Sequence, residues 1–145
     1  MAFMKPVESK ALFMGRLAHG SDLLEAISEF CLQNRIRLGR IKAIGAVQKA
    51  RVGFYNQKTR EYQYNDIDRP LEITNLAGNV SIKDGRPMVH AHITLADEKG
   101  NCFGGHLASG TIIFACELIL DVFDGPAFER GFDEATGLTL WEMGE

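Results

Sequence analysis

The chain offers few of the features that settle a protein's class quickly. Its three cysteines, Cys31, Cys102 and Cys116, are far apart and odd in number. That excludes a disulfide framework, and no CxxC pair is present to suggest a redox or zinc-ribbon motif. Reduced thiols in or near the core are the expectation. Long apolar runs are also missing. The longest, Thr111 to Leu120, contains Glu117 and reaches about half of the roughly 20 residues a membrane-spanning helix needs. The start, Met1-Ala-Phe-Met-Lys-Pro-Val-Glu, has no basic stretch, apolar core and small-residue cleavage site in succession. Together these predict a cytoplasmic protein.

Positive charge is scarce as well. Sixteen Lys and Arg stand against 19 Asp and Glu, for a net charge of −3, whereas a small domain that grips nucleic-acid phosphates carries a basic excess. The densest basic stretch, Arg35, Arg37, Arg40 and Lys42, follows a predicted helix end, where cations favour the helix C-terminus. There is no internal repeat, low-complexity tract or linker. With 145 residues, 46% of them apolar, residues 1–145 read as a single domain able to bury a real core.

One helix is legible. Leu23, Leu24, Ile27, Phe30 and Cys31 recur at helical spacing, with Ser21 as the expected N-cap, Asp22 in the first turn and the end near Asn34 or Arg35. Nearly everything after it reads as strand: 40–55 with glycines at 45 and 53 as bends or bulges, 61–64, 71–82, 88–96, 102–108 and 111–123. Shorter β segments are expected at 10–17, 127–132 and 138–141. The fold class is α+β, a largely antiparallel mixed β-sheet with a flanking helix. Its core covers about residues 10–125, with a short β extension over 126–145.

Of four histidines, three lie close together: His90, His92 and His106. His90 and His92, two apart on a predicted strand, point to one face about 6.6 Å from each other. The link Asp97-Glu98-Lys99-Gly100-Asn101 fits a three-residue hairpin loop with glycine in the left-handed conformation. That loop sets Leu95 opposite Phe103 and His92 opposite His106, so the imidazoles form an L-shaped cluster. Cys102 falls about 13 Å from His106 along its strand, too far to join them. A bulge at Gly104-Gly105 would instead turn His106 to the other face. Three histidines without a fourth protein ligand make an open site for a divalent metal, zinc above all, with a position for water or substrate. The ordinary alternative is hydrogen-bonded or surface histidines.

Two acids stand in apolar strands, Glu72 and Glu117. Beside a metal they are candidates for catalytic acid–base work, an extra ligand or orientation of a histidine; otherwise each faces solvent or pairs with an arginine. Asn79, after Gly78, reads as a turn or ladder residue.

The stretches Gly39-Arg-Ile-Lys-Ala-Ile-Gly-Ala-Val, Leu71-Glu-Ile-Thr-Asn-Leu-Ala-Gly-Asn-Val, Gly85-Arg-Pro-Met-Val-His-Ala-His, Gly104-Gly-His-Leu and Glu117-Leu-Ile-Leu resemble, in that order, the plants-and-prokaryotes conserved (PPC) domain. The resemblance implies a sheet with a flanking helix assembled as a homotrimer, and zinc on His90, His92 and His106. The histidine arrangement is also similar to that of acetolactate decarboxylase. Many prokaryotic members are labelled DNA-binding, because plant relatives join the domain to AT-hooks. An AT-hook needs Arg-Gly-Arg-Pro to enter a minor groove, and here Asp84-Gly85-Arg86-Pro87 replaces it. Three functions stay open: a metal-dependent enzyme acting on a small oxygen-rich or carboxylated molecule, a DNA-binding or regulatory module, and a structural trimer stiffened by metal.

Overall fold

Leu23, Ile27 and Cys31 repeat at helical spacing and are fully buried along one side of helix α1, Leu23–Gln33. The N-cap is Asp22, not Ser21. The Asp22 carboxylate accepts from the backbone N–H groups of Leu24 (3.0 Å) and Glu25 (3.1 Å), satisfying two of the free donors that open any helix. Its other oxygen takes the Gly110 N–H at 2.6 Å, while the Ser21 hydroxyl turns back to the Ala18 carbonyl. No basic residue lies in the last turn. Arg35 sits past the cap with φ of 55°, and Arg40 is tied to Asp121 at 2.7 Å, so the four cations do not gather on the helix terminus as expected.

A computed structural model of the chain describes residues 2–144. Among these described residues nine strands join the helix: β1 Glu8–Leu17, β2 Gly39–Asn56, β3 Glu61–Ile67, β4 Leu71–Lys83, β5 Arg86–Ala96, β6 Cys102–Leu107, β7 Ile112–Asp124, β8 Arg130–Asp133 and β9 Leu138–Trp141. The main sheet runs β1-β7-β2-β4-β5-β6, with β3 beside β2. All of its pairings are antiparallel, and the one parallel contact is an isolated bridge from Ile82 to Glu129. Among the described residues the protein is therefore mostly antiparallel β with one helix, so the mixed α+β expectation holds only roughly.

Strand β2 organises the sheet. Its first half lies between β7 and β4, its second half between β3 and β6. The change of partners follows register shifts on either side of Gly45. Gly45 has φ of 145°, and a Cβ there would lie 2.1 Å from the Ala115 carbonyl oxygen, so only glycine fits. Gly53, also expected to mark a bend, sits in unbroken pairing with Tyr64 and His106. Because β2 touches β6, strands β2, β4, β5 and β6 close into a ring.

The buried side chains, among them Ile41, Leu76, Val80, Ile93, Leu95 and Leu120, form one cluster with Leu23 and Ile27 of the helix. The alternation of a strand sends their neighbours to the opposite, helix-free face, which carries His90, His92, Ala77, Asn79, Lys42 and Glu117. Part of this face, across β1, β7 and β2, is apolar and open: Leu12, Met14, Ile44 and Ile119 are all exposed. The β8–β9 hairpin folds beside the end of β4, and its tip meets the β2–β3 hairpin, where the Tyr55 hydroxyl donates to the Thr136 carbonyl at 2.8 Å. No helix among the described residues is long and apolar enough to cross a membrane.

Burial pushes the Cys31 thiol up to about 12 and the Cys116 thiol up to about 11, which leaves both as unreactive thiols at neutral pH. Cys102 departs from the core expectation and is exposed beside the β5–β6 turn. Brief alkylation of the native protein at pH 8 is expected to label Cys102 alone, with all three cysteines labelled after denaturation, as read by intact mass. Asp22→Ala should lower unfolding stability by about 1–2 kcal/mol in urea titrations, because an N-cap is lost.

Candidate metal centre

The site starts from a turn. Asp97 accepts from the backbone of Lys99 and Asn101 through one carboxylate oxygen, both at 2.9 Å, and from the Asn101 side chain through the other. The Gly100 N–H closes the turn on the Asp97 carbonyl at 2.9 Å, with Gly100 at φ of 79°. This is the hairpin loop expected from the sequence, and it delivers the expected register: Leu95 faces Phe103 and His92 faces His106. The pairing runs unshifted through Gly104 and Gly105. These glycines host no bulge; they permit close strand approach. A Cβ would stand 2.5 Å from the Ile93 carbonyl oxygen at Gly104 and 2.6 Å from that of Gly53 at Gly105.

The three imidazoles draw into a near-equilateral triangle, tighter than an L. Ring centroids are 5.3 Å apart for His90 and His92, 5.1 Å for His90 and His106, and 5.5 Å for His92 and His106. One nitrogen from each lies within 4.8 Å of the others. Around a zinc ion bound at about 2.0–2.1 Å these nitrogens would stand roughly 3.4 Å apart, which small ring rotations supply. His90 and His106 are half-buried and His92 is exposed, so the cluster opens to one side. The His106 Nδ1 is buried without a hydrogen-bond partner, a state that a metal bound through that nitrogen would relieve.

Burial, and then the charges of His106, Arg130 and His92, push His90 down to about 4. His106 is lowered for the same first reason, then by His92 and Arg130. Both stay neutral at physiological pH, and neutral imidazole is the form that ligates metal. The three histidines can hold a metal ion. The fourth histidine, His19, stands apart, its Nδ1 hydrogen-bonded to the Phe114 carbonyl oxygen at 2.8 Å.

The walls come from elsewhere in the chain. The Tyr62 ring leans on His106 with centroids 4.9 Å apart and stacks on Tyr64. Gly53 makes this possible, since a Cβ there would approach both tyrosine rings at 3.2 Å. Asn79, directly opposite His90, is a ladder residue as expected, but its side chain also accepts from Arg130 at 3.0 Å. Arg130 reaches the site because the C-terminal hairpin returns to β4. Alternation of tyrosines at 62 and 64 on a strand was the signal for the first wall. Nothing in the local sequence signals the second.

Glu72 and Glu117 are not brought to the histidines. Both are exposed on the helix-free face. Glu72 pairs with Ala96, four residues beyond His92 and so about 13 Å along the strand. Glu117 lies on β7, three strands from β5, about 14 Å across the sheet. Asp84-Gly85, which stands where an AT-hook has arginine and glycine, forms the two-residue turn between β4 and β5. Both residues have positive φ, 51° and 75°, with Lys83 facing Arg86; this is the twisted hairpin turn that Asp-Gly favours.

A small, mostly antiparallel β domain with an open three-histidine cluster beside its closing strand pair is the class that fold and site define. Residues 4–124 match the model of the Plants and Prokaryotes Conserved (PCC) domain, and the chain belongs to that family. A metal-containing protein from Archaeoglobus fulgidus is 43% identical with a TM-score of 0.91, over 95% of this chain and 97% of that one. A plant- and prokaryote-conserved protein from Pyrococcus horikoshii is 34% identical with a TM-score of 0.90, over 94% of both chains. Alpha-acetolactate decarboxylase from Bacillus subtilis shares the fold at 13% identity and a TM-score of 0.57, over 86% of this chain and 57% of that one. Among curated proteins, the bifunctional protein GlmU of a Synechococcus strain is 32% identical over 91% of this chain. The chain spans about a fifth of the length of the curated relatives it matches, 20% in each case.

Because Gly105 lets β6 close on β2, Gly105→Ala should displace His106. The expected cost is about 1–3 kcal/mol of stability, as for other overpacked sites, together with weakened zinc binding in a competition titration with a chromophoric chelator. Gly85→Ala, at a turn open to solvent, should leave zinc binding unchanged.

Proposed function

We propose that this chain is a zinc protein whose open site, on His90, His92 and His106, binds a small oxygen-rich molecule and serves metal-dependent chemistry on it. The carrying observation is the cluster itself: three imidazoles with ligand atoms within 4.8 Å, and no acid or thiol among the described residues completing it as a fourth ligand. Closed four-ligand sets mark structural zinc, and three-ligand sets leave a position for exchangeable chemistry. The 43% identity to a metal-containing protein supports the metal. A zinc ion held there supplies Lewis acidity toward a carbonyl or carboxylate oxygen. The chain's own part is to keep His90 and His106 neutral by burial, to wall one side with Tyr62 and to place a guanidinium nearby.

We further propose a cytoplasmic homotrimer. The exposed apolar side chains Met14, Ile44 and Ile119, bordering a cleft of about 730 Å³ with Lys42, Thr74 and Glu117, and Leu12, also exposed, support burial of this part of the helix-free face, away from the histidines, against other copies. DNA binding has less behind it. A Bacteroides thetaiotaomicron protein provisionally named as DNA-binding is 24% identical, which shows the fold alone. Here Arg40 is neutralised by Asp121, and Asp84-Gly85 forms a hairpin turn while Arg86 and Pro87 open the paired strand β5.

The test is a cobalt(II) titration of metal-stripped protein. Wild type should give the intense visible bands of a four-coordinate ion at one equivalent per chain. His90→Ala/His92→Ala should lose affinity by at least about a hundredfold, since two of three ligands are gone. Weak octahedral-type absorption unchanged in the variant would contradict the assignment.

A further inference from the structure

Arg130 is a half-buried cation with only neutral partners. Its Nε donates to the Ser81 hydroxyl at 2.7 Å, Nη2 to Asn79 Oδ1 at 3.0 Å and Nη1 to the Thr139 carbonyl at 3.1 Å. Its guanidinium lies over the Trp141 ring, 5.6 Å from the centroid. The ion pairs among the described residues join Arg40 to Asp121, Arg51 to Asp66 and Arg69 to Asp97; Arg130 has none. A guanidinium partly withdrawn from water without a counter-ion is costly, yet three hydrogen bonds and a ring hold this one in place.

Its position gives that arrangement a purpose. Asn79 is the direct cross-strand partner of His90, with Cβ atoms about 5 Å apart, so Arg130 stands one strand from the metal cluster on the same face. Tyr62, which covers His106, also feels the Arg130 charge. An arginine has five N–H donors, and three are engaged, leaving one on each terminal nitrogen. The two-pronged grip on a carboxylate takes one N–H from each terminal nitrogen. A divalent ion on three neutral imidazoles beside a guanidinium totals three positive charges, with no Asp or Glu among the described residues in the cluster. The missing component is an anion.

We propose that Arg130 and the metal on His90, His92 and His106 form one binding site for a small carboxylate, with one carboxylate anchored by Arg130 and a second oxygen donor of the same molecule facing the metal. This deepens the metal reading above and rests on it. A carboxylate fits the donor supply better than a phosphate, because its two oxygens match the two free N–H groups of Arg130 one to one while a phosphate's larger set of terminal oxygens exceeds them. Arg130 lies on the C-terminal hairpin, past residue 124 where the family match ends, so the anchor belongs to a segment that the family match leaves unassigned.

The experiment uses cobalt(II)-loaded full-length protein titrated with malonate, and separately with inorganic phosphate, at constant ionic strength, followed by the visible spectrum and by calorimetry. Wild type should bind malonate with a change in the cobalt bands. Arg130→Gln should keep cobalt at one equivalent, which also shows that it is folded, while malonate binding weakens by at least about tenfold. Arg130→Lys, which keeps the charge and most of the stem but loses the fork, should fall between. Malonate affinity in Arg130→Gln within twofold of wild type, or no malonate binding by cobalt-loaded wild type, overturns the carboxylate site while leaving the metal reading intact. Phosphate binding tighter than malonate overturns the carboxylate assignment. Failure of the wild type to take up cobalt overturns the metal reading and this inference with it.

Discussion

The site depends on one cross-strand pair. His92 and His106 can share a metal only because β5 and β6 meet in a single register, and the Asp97 side chain fixes that register by closing its turn with three hydrogen bonds. A slip of one residue would turn His106 into the core side and send Leu107, now fully buried, outward. The hydrophobic alternation of β6 and the polar turn therefore enforce the same answer. Closure of β6 onto β2 through Gly105 and Gly53 adds a second clamp, so that His106 is held from both sides of its strand.

Electrostatics then gives the constructed cluster its character. Half-burial keeps His90 and His106 neutral and ready to donate lone pairs. The same face supplies a guanidinium, and among the described residues no carboxylate joins the cluster. A metal in such surroundings stays strongly positive, which favours anionic ligands and polarises what they carry. Carboxylate-rich sites do the reverse and weaken Lewis acidity; the placement of Glu72 and Glu117 well away from the histidines is consistent with that division.

Much of this was legible in the sequence, and the missing parts share a cause. The helix, the strand sequence, the β5–β6 turn and the three histidines all follow from periodicity and short-range turn chemistry. Local rules fail where a choice depends on tertiary partners. Ser21 and Asp22 are both good caps, and Asp22 is selected because its second oxygen can also hold Gly110. Gly53 and Gly104-Gly105 look like bends or bulges by composition, but serve close packing between neighbouring strands, Gly104 against β5 and Gly105 against β2. Arg130 and Trp141 reach the site only through the return of the C-terminal hairpin to β4, which no spacing rule foretells. The basic stretch after the helix read as a C-terminal cap, whereas the chain turns at Arg35 and sends Arg40 to Asp121.

The central claim is that His90, His92 and His106 hold a metal in the protein as it is made. The most direct measurement is the metal content, by mass spectrometry, of protein purified without a metal-affinity tag. About one zinc per chain is the predicted result. Metal-free protein that takes up no zinc, cobalt or other divalent ion on reconstitution would contradict it.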